Sequence, residues 1–369
     1  MNLASLGYDA NFEFCFHAYL NEIVGHSAAR AGIATPIVAR VAREDRESYI
    51  VYTDGRALRA GVRGSLRHRA ASRADYPAVG DWVVVTPRAA ESAATIQAIL
   101  PRRSHVTRKA AGPRAAPQVI AANVDRLLIC CGLDHDFNLR RIERYVTLAY
   151  AGGATPVVVL TKADCAPNAA DRRAAVEALC IGVTCIECSI VDDRGIAELR
   201  ATIAPGSTAA LVGSSGVGKS SLINRFVNEA RLAVGAVREH DSRGRHTTTA
   251  RQLLLLPGGG VIIDTPGMRE LQAWADASDV DAAFGEIESL AASCRFRDCA
   301  HRGEPGCAVL AAIDSGELPR ERLSSYHKQR REMEHLDRKD DPALAAEHKA
   351  RWKAIHKAAQ KHMKQKYRF

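Results

Sequence analysis

Gly213-Ser214-Ser215-Gly216-Val217-Gly218-Lys219-Ser220-Ser221 decides the fold of the central half of this chain. The stretch matches G-x4-G-K-[ST], follows the strand-like run TAALV and leads into the helix-like SSLINRF. A strand, a glycine-rich turn and a helix start make a phosphate cradle. The glycines let backbone N–H groups point inward at one anion, and the helix N-terminus adds a positive dipole. Lys219 is placed to reach β- and γ-phosphates, and the Ser220 hydroxyl to bind Mg2+.

Outward from this loop, apolar runs alternate with helix-like stretches. The runs are VDRLLICC, TPVVVL, VTCIEC, TAALVG and GGVIIDT; the helix-like stretches span 139–151, 169–179, 195–203 and 219–227. Continuous apolar strands belong to a parallel sheet buried on both faces, and alternating βα units to an α/β domain. Upstream, Thr161-Lys162-Ala163-Asp164 ends TPVVVL, at the strand end where α/β ligands bind. A carboxylate there accepts two hydrogen bonds from guanine, through its ring N–H and its exocyclic amino group. Adenine offers no such pair and would leave the acid unmet. The Lys162 stem can lie against the base. Cys188-Ser189-Ile190 ends the next strand, where a backbone N–H can support the guanine oxygen. Downstream, Asp264-Thr265-Pro266-Gly267 follows VII; Asp264 is placed to hold Mg2+ through water and the Gly267 N–H to sense the γ-phosphate.

The order of these motifs carries information. Ordinary GTPases place the phosphate loop first and the guanine motif late. Here the guanine motif at 161–164 precedes the phosphate loop at 213, and the D-T-P-G turn comes after it at 264. That is a circular permutation. It wires the γ-phosphate turn covalently to the segment on its C-terminal side, a route by which nucleotide state can reach a C-terminal domain.

That segment contains a cysteine-rich patch. Cys294, Cys299, His301 and Cys307 are spaced C-x4-C-x-H-x5-C, a set suited to one structural, tetrahedral Zn2+ with no open position. The alternative is three reduced thiols packed as small apolar groups. The other cysteines lie mostly in strand-like runs and read as core. Beyond the patch the chain becomes polar, helical and basic. Between Ala343 and Phe369 eight Lys or Arg face one acid, Glu347, and so hold most of the chain's net charge of +9. Such a tail is a footprint of nucleic-acid or anionic-surface contact, or else solubilising.

Before the α/β region, IATPIVARVA, SYIVYTD, RALRAGVR, DWVVVT and ATIQAIL read as five short strands of a small OB-like barrel. Arg56, Arg59, Arg63, Arg67, Arg69 and Arg73 crowd its loops. Residues 101–118 read as a basic, Ala- and Pro-rich linker. The expected fold is therefore multidomain: an N-terminal extension, irregular or partly helical (1–32), an OB-like β-barrel (33–110), a circularly permuted P-loop GTPase α/β domain (111–273) and a zinc-binding, mostly helical C-terminal domain (274–369). The 369 residues are 47% hydrophobic and 25% charged, which argues against a disordered or collagen-like chain. No apolar run reaches the ~18 residues of a membrane span, and no secretory leader is expected, so a cytoplasmic protein is.

Barrel, permuted GTPase and Cys-His knuckle occur together in the ribosome small subunit-dependent GTPase A family (RsgA/YjeQ type), which residues 35–330 resemble. GSSGVGKSS, TKAD, GRHTTT, DTPG and the Cys-His spacing carry the likeness. The resemblance implies GTP, Mg2+, Zn2+ and ribosomal RNA as ligands. It also implies action late in small-subunit maturation, with hydrolysis of GTP to GDP stimulated by the subunit. A monomer with no membrane partner is expected.

The usual water-orienting glutamine after D-x-x-G is replaced by Met268, so intrinsic hydrolysis should be slow. Gly244-Arg245-His246-Thr247-Thr248-Thr249 lies where switch I should be. By resemblance His246 positions the water and Thr248 reaches Mg2+ and the γ-phosphate, with Thr247 close behind. Arg243 or Arg245 would neutralise transition-state charge or contact RNA. The competing readings are a permuted GTPase acting on another ribonucleoprotein or on transport, and a GTP-regulated RNA-binding module in which hydrolysis is incidental.

Overall fold

Alternation of apolar residues builds the N-terminal barrel in the computed structural model, which describes residues 2–27, 35–46, 48–88, 92–109, 117–233, 251–265 and 284–340. The strands are β1 (Ile37–Glu44), β2 (Tyr49–Tyr52), β3 (Ala57–Val62), β4 (Trp82–Pro87) and β5 (Ala93–Ile99). Ala39, Val41, Val51, Leu58, Ala60, Val83, Val85 and Ile96 fill the interior. The order is β1-β2-β3-β5-β4, and β4 pairs back onto β1 (Val38↔Val84), so the five strands close. Closure removes the exposed edges an open sheet would leave. A short helix, α2 (Gly64–Arg69), joins β3 to β4.

Residues 101–118 are not a plain linker. β6 (His105–Lys109) pairs antiparallel with β7 (Pro117–Ala122) as a separate ribbon. Its basic composition hides the alternation: Val106 is buried, in a strand with three charged or ring-nitrogen side chains. The N-terminal extension is partly helical, one of the two forms expected. It forms α1 (Ala10–Ser27), with Leu6 and Phe12 buried and Tyr8 and Phe12 tilted against Trp82.

The permuted domain comes next as β8 (Arg126–Gly132), α3 (Leu139–Ala151), β9 (Thr155–Thr161), α4 (Ala169–Leu179), β10 (Thr184–Glu187), α5 (Ile196–Ala201), β11 (Thr208–Val212), α6 (Lys219–Ala233), β12 (Gln252–Leu255) and β13 (Val261–Asp264). The order across the sheet is β10-β9-β8-β11-β13-β12, parallel except for β12. The chain steps outward from β8 to β10, then crosses to β11 on the other side. The β8/β11 boundary is thus a topological switch point, where ligands of open α/β sheets bind. β8, β9 and β11 read as unbroken apolar runs because both faces are covered, as their burial shows.

Arg40 locks barrel and α/β sheet together. Its guanidinium is buried and donates to the carbonyls of Leu6, Gly80 (3.2 Å) and Asn123 (3.3 Å) and to the Thr208 hydroxyl (2.8 Å). It lies 5.2 Å from the Trp82 ring centre. Burial pushes its pKa down to about 10, which leaves it charged at neutral pH. Nearby, Arg102 holds the fully buried Asp81 carboxylate in a two-pronged pair at 2.7 and 2.8 Å.

A second unit, Ala275–Phe369, contains α7 (Gly285–Ala291), α8 (Ala308–Asp314) and α9 (Arg320–Asp340). Its core is small: Phe284, Ile287, Val309, Ala312, Leu318, Leu323 and Tyr326, with Cys307. The Arg322 guanidinium stacks 3.9 Å from the Phe284 ring centre. Among the described residues no helix is long and apolar enough to cross a membrane. The basic tail from Ala343 lies outside the described residues.

Candidate functional site

Because β8, β9, β10, β11 and β13 are parallel, the loops at their C-terminal ends share one edge of the sheet. That edge collects the described parts of the predicted site. The phosphate loop runs from Gly213 to Lys219, and α6 begins at Lys219. Gly213, Gly216 and Gly218 have φ of +140°, +77° and +100°. At Gly213 a Cβ would sit 2.2 Å from the Cys130 carbonyl oxygen, so only glycine passes there. Lys219 Nζ donates to the carbonyls of Gly213 (2.6 Å) and Ser214 (2.7 Å), bracing the wrapped loop from inside. Ser220 and Ser221 begin α6 with exposed side chains.

Asp264 ends β13 beside Lys219. Burial raises its carboxyl pKa and lowers that of Lys219, each only partly countered by the other's charge. Burial thus disfavours the charged form of each group. Thr265 anchors this strand end, its hydroxyl donating to the Leu211 carbonyl at 2.8 Å.

The Thr161–Asp164 motif lies two strands away from the phosphate loop. The buried Thr161 hydroxyl donates to the Val217 carbonyl at 2.7 Å, across the end of β8. Thr161 thereby ties the two motifs together. Lys162 has φ +61° and pairs with Asp134 at 2.7 Å. The Asp164 carboxylate is exposed. It accepts from the Cys165 thiol (2.9 Å) and from the Ser189 side chain, and these bonds hold its pKa below the usual carboxylate range. Of the backbone N–H groups at 188–190, that of Cys188 donates to the Leu160 carbonyl (2.7 Å) and that of Ser189 to the Arg194 carbonyl (3.0 Å). Cys165 is also the exception among the cysteines expected in the core, being exposed.

His246, Thr247, Thr248, Gly267 and Met268 lie outside the described residues. Sequence reasoning missed Asp134 and Cys165, which touch the guanine-reading residues. Neither belongs to a motif, and only the strand order brings Asp134 to Lys162.

In the second unit Cys294, Cys299, His301 and Cys307 converge, their ligand atoms all within 4.8 Å of one another. The Cys294 and Cys307 sulfurs are 3.9 Å apart, and His301 Nδ1 is 3.7 and 3.4 Å from them. Zn–S bonds of ~2.3 Å in a tetrahedron require sulfurs about 3.8 Å apart, so the set fits zinc. Glu304 shapes the loop, its carboxylate accepting from the N–H groups of Ala300, Arg302 and Gly303.

A family model described as RsgA GTPase matches residues 99–274, and one described as 50S ribosome-binding GTPase matches 208–346, beginning at the strand into the phosphate loop. A small ribosomal subunit biogenesis GTPase RsgA of Opitutus terrae is 44% identical over 366 residues, 96% of each chain. A Lactiplantibacillus plantarum protein described as small ribosomal subunit biogenesis GTPase RsgA 2 is 48% identical over 297 residues, 80% of this chain and 83% of that one. Among solved structures, YjeQ from Thermotoga maritima superposes with a TM-score of 0.63 at 25% identity, covering 81% of this chain and 99% of its own. YloQ, described as a circularly permuted GTPase, has a TM-score of 0.61 at 23% identity, over 84% of this chain and 99% of its own, and shows the shared fold.

Proposed function

This chain belongs to the RsgA GTPase family, circularly permuted enzymes that hydrolyse GTP, and from that premise we propose that its hydrolysis serves maturation of the small ribosomal subunit, in the cytoplasm and as a monomer. The observation that carries the RNA side is the barrel surface. Arg56, Arg59, Arg63, Arg67, Arg69 and Arg73 crowd β3, α2 and their loops, where most of the side chains are exposed. Arginine crowded on an OB-like barrel is an electrostatic footprint for RNA backbone. The knuckle loop adds exposed Arg295, Phe296, Arg297 and Arg302, a basic surface with one aromatic on which a base can stack. The basic tail extends the same chemistry.

In the reaction, Asp164 accepts from guanine, supported by Ser189, and Lys162 lies along the base. Lys219 leaves its own loop carbonyls for the β- and γ-phosphates, while backbone N–H groups of 213–221 wrap the chain. Ser220, Thr248 and Asp264 would hold Mg2+, which would supply positive charge to offset the charge developing on the phosphates. His246 orients the attacking water, and the Gly267 N–H registers the γ-phosphate. Zn2+ on Cys294, Cys299, His301 and Cys307 is structural.

The test is GTP hydrolysis at physiological salt, with purified small subunits, with large subunits and with neither, and with ATP as control. Small subunits should raise the rate at least tenfold and large ones should not, with the gain lost in His246→Ala. Met268 favours a second reading, an RNA-binding switch with incidental hydrolysis; a stimulated-to-intrinsic ratio near one would establish it. The permuted order further predicts that GTP-like and GDP states differ in hydrogen exchange over residues 275–369.

A further inference from the structure

We propose that Asp134, on the loop after β8, is a positioning residue of the guanine site, holding Lys162 in the posture in which its stem forms the shelf for the base. This rests on the reading of Thr161–Asp164 as the guanine motif. Lys162 Nζ lies 2.7 Å from Asp134 Oδ2. The two residues are 28 apart in sequence and come from adjacent strands, β8 and β9. The Lys162 backbone is in the left-handed region, which sets where its side chain leaves the strand end. The long stem still has free rotations, and an anchored ammonium removes them.

The anchor is itself fixed. Asp134 Oδ1 accepts the Asp136 N–H at 2.9 Å, orienting the carboxylate from within its loop. The Asp134 carbonyl accepts from Arg172 Nη1 at 3.3 Å, and the Arg172 guanidinium sits 5.0 Å from the Phe137 ring centre, clamping that loop to α4. Lys162, then the Asp136 N–H, hold the Asp134 carboxyl below its ordinary pKa, so it is ionised throughout the working range. A base laid on the stem would shield the pair from water and strengthen it. An acid at this place acts on the base face and not on the base edge. It therefore sets affinity for any purine of the right edge chemistry, whereas Asp164 sets which edge is accepted.

The experiment uses the full chain at physiological salt and a fluorescent GDP, with unlabelled GDP, IDP and ADP as competitors. IDP lacks the 2-amino group that Asp164 reads. Asp134→Asn keeps an acceptor for the Asp136 N–H and removes only the charge; it should weaken GDP and IDP by the same factor, about three- to fivefold, as expected of a half-exposed pair. Asp134→Glu should recover part of the loss. In a Lys162→Ala background, Asp134→Asn should change nothing further. An unchanged affinity in Asp134→Asn, or an equal loss with and without Lys162, overturns the assignment. Asp164→Asn separates the two levels. If it leaves the preference for GDP over ADP intact, the guanine motif has been misplaced. If that preference collapses while Asp134→Asn is silent, Asp134 alone has been misassigned.

Discussion

The nucleotide edge of the sheet and the Cys-His knuckle both gather ligating groups on short loops, but on different foundations. The phosphate loop hangs from β11, whose five residues are all buried, and it is already wrapped, with Lys219 capping its carbonyls. Among the described residues, the knuckle loop at 295–306 has no strand beneath it, only a core of eight buried residues, one of them Cys307 of the Cys-His cluster. In the first region a ligand occupies a form the fold has made. In the second the ligand has to make the form, because so small a core cannot offset the entropy of ordering the loop.

The largest effect expected from this contrast is zinc removal. Chelation, or Cys307→Ser, should abolish the cooperative unfolding of the second unit and expose 284–331 to protease, with GDP affinity unchanged within about twofold. Helices that survive chelation would break the comparison. Next is Asp164→Asn. Two hydrogen bonds to a charged acceptor, ~1.5–3 kcal/mol each, imply at least a hundredfold loss of GDP affinity with no loss of folding. Isothermal titration and a urea melt together check both halves.

Arg40→Met tests what the nucleotide edge stands on. It takes the guanidinium from the buried acceptors of Leu6, Asn123 and Thr208, while the Gly80 carbonyl keeps the Asn123 amide, and should cost ~3 kcal/mol or more in denaturant unfolding. A two-step melt would show barrel and sheet separating. The smallest effect is in pH dependence. Asp264 has a raised pKa and Asp164 a lowered one. As pH falls, protons reach Asp264 first, so Mg2+-dependent hydrolysis should decline at a pH where GDP binding persists. Loss of both together would contradict the assigned environments.

The phosphate loop, the guanine motif and the zinc ligands were legible because each is local. Glycines at positive φ, a lysine and hydroxyl at a helix start, or four soft ligands in 14 residues carry their chemistry in spacing alone. The alternating runs foretold barrel and sheet for the same reason. The ribbon of 105–109 with 117–122 and the docking of α1 were illegible, since their burial comes from partners elsewhere in the chain.

The sequence by itself determined which groups make up the phosphate-loop, guanine and Cys-His motifs, and through motif order it determined the permutation. Only the tertiary structure decided how those groups are held. Thr161 reaches the Val217 carbonyl, Asp134 reaches Lys162, and Arg40 gathers acceptors up to 168 residues away. Each bond depends on which strands lie side by side and on how deeply the polar group is buried. Neither is a property of any short stretch of chain.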